Sequence, residues 1–330
     1  MAVSEFDLIK TYFNKPGLIP TKEQAARIPL AIGDDCALID LPPGKLLAVS
    51  MDTLVADVHF PSKADPALIA QRALAVNLSD LAAMGAEPLA FTLALSLPTA
   101  EEGWLQGFSF GLETLVQAYS CPLIGGDITK GPLSITIQVH GLLNKDEVMT
   151  RSGAKPGDLV YVSGELGAAG LAISLMNNGM ALDKPDTKEL HTAYFQPVPR
   201  INLGQGCAAI ASAAIDISDG LMADLGHIAQ QSCVGIELNA KAIPVARAVK
   251  KFMSTMGDKS RGLNLALTAG DEYELAITVT EAQKEALERA AATLNIPLTL
   301  IGRVIKGSRV KCMDNDGQEI EVKTLGYQHF

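Results

Sequence analysis

Residues 46–85 read LLAVSMDTLVADVHFPSKADPALIAQRALAVNLSDLAAMG. The run 46–55 is apolar and β-branched enough to predict a buried strand. Asp65 and Pro66 then supply an N-cap and a proline at the first helical position, so a helix is predicted from there to the glycine at position 85. A strand that feeds a helix is the repeating unit of α/β proteins. This stretch therefore predicts the fold class.

The rest of the chain continues the mixture of strands and helices. Strands are predicted at 91–97, 121–127 (running into a glycine turn), 134–143, 159–164, 214–218 and 296–304. Helices are predicted at 4–13, 100–119, 168–178, 201–212, 221–231 and 281–294. The segment LALTAGDEYELAITV (265–279) predicts two strands around a sharp turn, and the turn formers of RSGAKPGD (151–158) separate two predicted domains, 1–150 and 151–330.

Composition excludes several classes of protein. The net charge of −10 makes nucleic acid and anionic membrane unfavourable partners. The N-terminus lacks the basic, then apolar, pattern of a signal peptide, and no uncharged apolar run approaches the length of roughly 18 residues that suggests a membrane span. Five scattered cysteines without a CxxC pair predict free thiols. A cytoplasmic protein is expected.

Aspartates recur where an apolar strand ends or beside glycine. The segment AIDISDGLMADLG (214–226) holds three of them, and no Lys or Arg lies between Arg200 and Lys241 to neutralise them. Any one such aspartate is most simply a helix N-cap or a turn former. Carboxylates that gather without cationic side chains, however, are what Mg²⁺ needs. The candidates are Asp34, Asp35, Asp52, Asp80, Asp127, Asp216, Asp219, Asp271, Glu272 and Glu274.

Two further patterns support a magnesium–nucleotide site. Asn77 and Asp80 lie three residues apart on the predicted helix and so share a face, which its apolar flanks predict to be buried. The GGD of residues 125–127 would let backbone N–H groups approach phosphate oxygens closely. Neither GxxxxGK[ST] nor GxGxxG occurs, and the common kinase, metalloprotease and hydrolase motifs are absent. His59, after the first strand, is a candidate contact, although a lone histidine is more often structural.

Seven motifs in order resemble one enzyme family. They are IGDDCALI, DTLVADVHF, AVNLSDLAAMGA, LIGGDITKGPLS, MTRSGAKPGD, AIDISDGL and a closing GYQHF. Together they resemble the thiamine-monophosphate kinases, which belong to the larger group typified by aminoimidazole ribonucleotide synthetase. The resemblance spans nearly the whole chain.

The resemblance implies a two-domain α/β fold whose N-terminal sheets meet across a homodimer. It implies transfer of a phosphoryl group from ATP to thiamine monophosphate, giving thiamine diphosphate, with several Mg²⁺ ions per site. The implied metal ligands are Asp35, Ser50, Met51, Asp52, Asp80, Asp127, Asp216 and Asp219. The implied ATP contacts are Gly126, Asp127, Arg151 and Ser218, and the implied substrate contacts are His59, Asp271, Thr324 and Tyr327. Asp219 and Arg151 are the expected catalytic residues.

The residues themselves agree with this chemistry. A phosphate acceptor is already a nucleophile, so no strong general base is needed, and none is evident in the sequence. Positioning and charge neutralisation would carry the reaction, with Arg151 as the only obvious cationic clamp. We expect direct in-line transfer of the γ-phosphoryl group; a phospho-enzyme is the less favoured alternative.

Three positions depart from the family pattern. Met51 replaces a threonine, which removes a metal ligand if the side chain binds and changes nothing if the backbone carbonyl binds. Asp271 and Glu272 reverse the usual order of the two acids. The residues before GYQHF, which include Thr324, lack an aromatic side chain.

Other functions remain open at this point. The aminoimidazole ribonucleotide synthetase relatives use similar carboxylates, but the chain lacks the early cysteine of selenophosphate synthetase and the terminal cysteine of the hydrogenase maturation relative. A metal-dependent phosphatase would hydrolyse thiamine phosphates without ATP, and a magnesium–nucleotide sensor would bind ATP without turnover.

Overall fold

The computed structural model describes residues 4–182, 187–256, 259–322 and 326. The chain divides into two compact units. The first comprises Met1–Leu81 with Ala86–Lys145, and the second comprises Ala82–Gly85 with Asp146–Phe330. Each unit has a mixed sheet with helices, which confirms the predicted α/β class.

A four-stranded sheet organises the first unit. Its elements are α1 (Glu5–Leu8), a π-helical segment (Ile9–Phe13), β1 (Lys45–Val55), α2 (Pro66–Met84), β2 (Glu87–Leu97), α3 (Glu102–Tyr119), β3 (Leu123–Lys130) and β4 (Ser134–Asn144). The strand order is β1-β4-β2-β3, in which β2 and β3 are parallel and the other pairs are antiparallel.

The β1–α2 segment folds as its sequence predicts. The side chain of Asp65 accepts the Ala67 N–H at 2.8 Å, which satisfies one of the free donors at the start of α2. The helix ends before Gly85, whose φ of +74° is the left-handed conformation that terminates helices. Ile69 and Leu74 are fully buried, so α2 is held by its apolar side chains.

The two faces of β1 have different environments. Leu47, Val49 and Met51 alternate along the strand and are 38%, 52% and 60% exposed. Ser50 and Asp52 point to the opposite face, where both meet α2. The exposed face, which we call the open face of the sheet, therefore presents apolar side chains on an edge strand.

A six-stranded sheet organises the second unit. Its strands are β5 (Leu159–Ser163), β6 (Ala213–Asp216), β7 (Gly235–Asn239), β8 (Leu275–Val279), β9 (Leu298–Ile305) and β10 (Val310–Met313), in the order β10-β7-β9-β5-β8-β6. Only the β10–β7 pair is parallel. Its helices are α4 (Ala168–Asn177), α5 (Lys188–Phe195), α6 (Ile201–Cys207), α7 (Leu221–Ser232), α8 (Arg247–Met256), α9 (Lys259–Thr268) and α10 (Lys284–Thr293).

Three local predictions were wrong. Residues 265–268 end α9 and do not form a strand, because three apolar residues followed by a threonine fit either structure. The predicted helix 201–212 stops at Cys207. Strand β3 continues through Gly125 and Gly126 to Lys130 instead of turning there. Gly126 has φ of +152°, and a Cβ on it would lie 1.9 Å from the Leu93 carbonyl oxygen. Only glycine therefore fits at this position of the strand.

Within the described residues, no helix combines the length and the apolarity needed to cross a membrane. All five cysteines are free thiols, and burial raises the pKa of Cys121, Cys207 and Cys312.

A mostly buried ion pair, with the Arg200 and Glu274 side chains 20% and 10% exposed, stabilises the second unit. The Glu274 carboxylate accepts two hydrogen bonds from the Arg200 guanidinium, one of them at 2.7 Å, and a third from the Ser163 hydroxyl at 2.5 Å. We expect Glu274→Ala to lower the free energy of unfolding by about 3–5 kcal/mol, because it removes one partner of a buried charge pair. Urea denaturation measures the change.

The matched control is Glu281→Ala, which breaks the exposed pair with Arg303 at 3.4 Å. Its effect should stay below about 1 kcal/mol. Equal effects of the two substitutions would show that the Arg200–Glu274 pair contributes no more than a surface pair.

Candidate active site

The first carboxylate group lies where β1 meets α2. The Ser50 hydroxyl donates to Asp80 Oδ2 at 2.5 Å, and the Asp52 N–H donates to Asn77 Oδ1 at 3.0 Å. Asn77, which is fully buried, also donates to the Ala73 carbonyl at 2.9 Å. Asn77 and Asp80 thus share a face of α2, as their spacing predicts, and that face meets the two polar residues of β1.

A bound cation would stabilise the carboxylates of Asp52 and Asp80. Burial, and to a lesser extent the neighbouring charge of Asp80, together raise the pKa of Asp52 to about 6. Both effects disfavour the ionised carboxylate, and a bound cation would reverse them. The donors are all oxygens, which suits Mg²⁺ better than a softer metal.

The Met51 side chain points to the opposite face of β1 from the side chains of Ser50 and Asp52. It pairs with Gln138 of β4 on the open face, whereas Ser50 and Asp52 face α2. Its thioether therefore points away from Asp52 and Asp80. Of the two alternatives for this position, only binding through the backbone carbonyl is compatible with the strand.

A second group of predicted residues lines a cavity of about 600 Å³ in the first unit. Asp34 and Asp35 border it from one loop, and the 125–127 segment of β3 borders it from the sheet. The apolar part of the wall is formed by Phe6, Ile9, Phe13, Ile32, Leu93, Leu123, Ile124 and Ile128. The size is typical of small-molecule sites, and an apolar wall beside acidic groups and exposed backbone is suited to a nucleotide.

Within the first unit, these two groups of predicted residues lie apart on the sheet. Thr53, Thr136, Ala94 and Asp127 lie side by side across the sheet, so β1 and β3 are separated by three strand spacings, about 14 Å. Register also places Asp127 on the open face with Thr53, and Asp52 on the other face. The residues expected to bind metal in this unit thus form two separate groups.

His59 lies just beyond β1. Its Nδ1 accepts the Val55 N–H at 3.0 Å, and its own backbone N–H donates to the Val55 carbonyl at 2.9 Å. Because Nδ1 accepts, the proton of the neutral ring is on Nε2. The ring is thereby oriented by the end of the strand.

In the second unit the predicted ligands lie around the start of α7. Asp216 is buried at the end of β6. Ser218 and Asp219 follow in the turn that leads to Gly220 and α7. Among the described residues, Asp219, Asp224 and His227 are the one set of three whose potential metal-binding atoms all lie within 4.8 Å of one another.

Asp224 was not predicted as part of the site, yet it contacts the turn directly. Its Oδ2 accepts the backbone N–H groups of Ser218, Asp219 and Gly220 at 3.0, 3.1 and 3.0 Å. Burial raises the pKa of Asp224 to about 7, although these hydrogen bonds act in the opposite direction. The pattern that could have indicated it is an acid in the first helical turn, four residues after the glycine.

The acids at 271 and 272 lie in different environments. The Asp271 N–H donates to the Ser218 carbonyl at 2.8 Å, and the Asp271 carboxylate accepts the Tyr273 hydroxyl at 3.0 Å. Asp271 and Tyr273 both have left-handed φ values, +67° and +50°, which are costly for residues with a Cβ and cluster at functional sites. Burial raises the pKa of Glu272 to about 8, and its carboxylate accepts the Gly170 N–H near the start of α4 at 3.4 Å. Asp271 is thus the acid next to the Ser218 turn.

Arg151 and Ser218 lie near opposite ends of α7. The Arg151 carbonyl accepts the hydroxyl of Ser232, the last residue of the helix, at 3.1 Å. Twelve helical residues separate this end from the Ser218 turn, a length of about 18 Å. The Arg151 side chain is exposed and forms no ion pair with any residue that the structure describes.

The predicted C-terminal contacts are only partly visible. Thr324 and Tyr327 lie outside the described residues. Gly326, which begins GYQHF, is described, and a Cβ on it would lie 2.6 Å from the Asp219 carbonyl oxygen. The start of the tail therefore packs directly on the Asp219 turn.

Comparison with known proteins identifies the family of the chain. Residues 33–143 match the N-terminal domain of the AIR synthase related proteins, and residues 155–315 match their C-terminal domain. The thiamine-monophosphate kinase of Escherichia coli strain K12 is 44% identical over 332 residues, which cover 100% of this chain and 99% of that protein.

Solved structures give the same result. The crystal structure of thiamine-monophosphate kinase from Stenotrophomonas maltophilia K279a has a TM-score of 0.83 at 39% identity, covering 91% of this chain and 95% of that one. A structure described as AaThiL complexed with AMPPCP and TMP has a TM-score of 0.78 at 30% identity, covering 91% and 92%.

The two mixed sheets and their acidic turns define a two-domain protein of the AIR synthase related class. Sequence identity over the full length of the chain identifies the family within this class. The chain belongs to the thiamine-monophosphate kinase family, as its motifs predict.

Asp52→Asn should stabilise the metal-free protein while reducing activity. The pKa of Asp52 is raised from 3.8 to about 6, so the folded state binds the proton more tightly and the charged side chain is destabilising above pH 6. We expect a gain on the order of 1–3 kcal/mol at pH 8, fading as pH falls below about 4. Thermal melts of both proteins in EDTA at pH 8 and pH 5 measure it, and a lower melting temperature for the variant at pH 8 would contradict it.

Proposed function

We propose that this chain transfers the γ-phosphoryl group of ATP to thiamine monophosphate, giving ADP and thiamine diphosphate, in the last step of thiamine diphosphate biosynthesis. The observation that carries the proposal is the Ser50–Asp52–Asp80 group, where burial and a second carboxylate raise the pKa of Asp52 and a bound cation would stabilise the ionised form, in a chain of this family. The relative in complex with AMPPCP and TMP supports the choice of both substrates.

ATP is proposed to bind in the cavity of the first unit. Phe6 and Ile9 offer apolar surface for the base. Gly126 and Asp127 bring exposed backbone to the same cavity, where a phosphate can approach without a side chain in between. ATP therefore lies with its base towards the N-terminal segment and its phosphates towards β3.

Several Mg²⁺ ions are proposed, held by three carboxylate groups. Bound Mg²⁺ would neutralise the charge on the phosphates and on the transferring group. The groups differ in position, which accords with more than one ion. Their proposed ligands are Asp35 and Asp127, then Ser50, Asp52, Asp80 and the Met51 carbonyl, then Asp216 and Asp219.

The chain's own residues orient the transfer. We propose direct in-line transfer without a phospho-enzyme, because the acceptor phosphate is already nucleophilic. The exposed Arg151 guanidinium supplies positive charge to the phosphates, together with Ser218 as a hydrogen-bonding contact. His59 and Asp271 are the proposed contacts to thiamine monophosphate, with Thr324 and Tyr327 of the tail.

A homodimer and a cytoplasmic location complete the proposal. The open face of the first sheet exposes Leu47, Val49 and Met51 on an edge strand, and a second copy of this face would cover them. Cys36 and Cys233 are exposed free thiols, which suit a reducing compartment.

The function is tested by ³¹P NMR of the purified protein with ATP, thiamine monophosphate and Mg²⁺, with and without EDTA. We expect ADP and thiamine diphosphate to appear together in equal amounts, and neither to appear in EDTA. The Mg²⁺ arm tests the metal requirement, and the identity of the products tests the acceptor.

The same spectra discriminate the alternatives. Inorganic phosphate released without ATP would identify a metal-dependent phosphatase. Intact ATP with every addition would identify a nucleotide sensor. Either result would overturn the kinase proposal.

The dimer is tested by Val49→Glu. Val49 is 52% exposed on the open face, so a charge there costs little in a monomer but much in a covered interface. We expect light scattering to give twice the 34.8 kDa chain mass for the wild type and the single chain mass for the variant. Phe110→Glu, at an exposed position of α3, is the control and should stay dimeric. A monomeric wild type, or a dimeric Val49→Glu protein, would reject this interface.

A further inference from the structure

The start of α7 has the backbone geometry of an anion site. Three successive N–H groups, from Ser218, Asp219 and Gly220, converge on one point. Gly220 has φ of +124°, and a Cβ on it would lie 2.7 Å from the Thr268 carbonyl oxygen. Converging N–H groups at a helix N-terminus commonly bind phosphate, because no helical carbonyl is available to them.

An internal carboxylate fills this point. Asp224 Oδ2 accepts all three N–H groups, and the Asp224 N–H donates back to the Gly220 carbonyl at 2.9 Å. The side chain is 2% exposed. The three donors are therefore satisfied within the chain and are withheld from substrate phosphates.

The other side of the turn is held as well. The Ser218 carbonyl accepts the Asp271 N–H at 2.8 Å, and the Ile217 N–H donates to the Glu274 carbonyl at 2.8 Å. A Cβ on Gly270 would lie 2.3 Å from the Ser218 carbonyl oxygen. These bonds hold the backbone of the turn on both sides and leave the Ser218 and Asp219 side chains to face a ligand.

We propose that Asp224 is a positioning residue for phosphoryl transfer: it fixes the Ser218–Gly220 turn so that the Asp219 carboxylate faces a cation, and it keeps substrate phosphates off the three backbone N–H groups of that turn. The inference rests on the proposed magnesium-dependent transfer. Asp224 touches neither substrate and acts through the backbone of Asp219.

The test compares Asp224→Ala, Asp224→Asn and Ile228→Ala in the full chain. Ile228 is fully buried on α7 one turn further on and contributes only packing, so its variant reports general destabilisation. Mn²⁺ affinity is measured by EPR without nucleotide, amide hydrogen exchange is measured on a peptide covering 217–222, and kcat is measured with ATP and thiamine monophosphate.

We expect Asp224→Ala to weaken Mn²⁺ binding and lower kcat about 10–100-fold, the range seen for residues that orient metal ligands. Exchange in 217–222 should rise, because three amides lose their acceptor. Asp224→Asn keeps an oxygen acceptor without the charge and should lie in between. Ile228→Ala should lower the melting temperature and leave Mn²⁺ affinity unchanged.

Three results would overturn the inference: wild-type Mn²⁺ affinity and exchange in Asp224→Ala, equal loss of affinity in Ile228→Ala, or wild-type values in Asp224→Asn where the alanine variant does not fold. Failure of the proposed function is distinct. In that case the wild type makes no thiamine diphosphate, while Mn²⁺ affinity and exchange still report whether Asp224 positions the turn.

Discussion

Burial of carboxylates beside one another is the constraint on which this site depends. Asp52 lies next to Asp80 at the β1–α2 junction, and Asp216 is buried close in sequence to Asp219. For Asp52 and Asp80 this arrangement is unfavourable for the folded chain alone and becomes favourable when a cation binds. Stability and function are therefore opposed at these positions, and the surrounding structure must hold side chains that would otherwise separate.

Buried polar side chains and close backbone contacts provide that support. Asn77 links α2 to the backbone of Asp52 and fixes the level at which β1 crosses the helix. Asp224 does the same for the Ser218–Gly220 turn. At Gly126 the support is steric, since β3 approaches Leu93 too closely for any side chain. The proposed metal-binding carboxylates thus depend on Asn77 and Asp224, which are not among their proposed ligands.

Some helices and strands were predicted correctly from the sequence, and others were not. The β1–α2 unit was correct because a β-branched run, an Asp-Pro start and a glycine stop all agree locally, and the shared face of Asn77 and Asp80 followed from helical spacing. The prediction for the 265–268 segment was wrong because so short an apolar run carries no period that separates strand from helix. β7 and β10 were not predicted, since their short runs gain strand structure from pairing with β9 and with each other.

The site residues, too, could be predicted only in part from the sequence. Candidate acids could be found from their setting, but which of them meet depends on strand order. The separation of Asp127 from Asp52 follows from the β1-β4-β2-β3 order, which no local pattern encodes. Asp224 was missed because its importance lies in three backbone contacts and not in its own chemistry.

The alternation of β1 has a consequence for evolution of the family. Ser50 and Asp52 are constrained by chemistry beneath the sheet, while Met51, between them, belongs to the open face. Because side chains alternate along the strand, a substitution at position 51 changes the open face and leaves the face that meets α2 unchanged. A hydrophobic residue between Ser50 and Asp52 can therefore be selected by whatever covers the open face, independently of the carboxylate group on the other side.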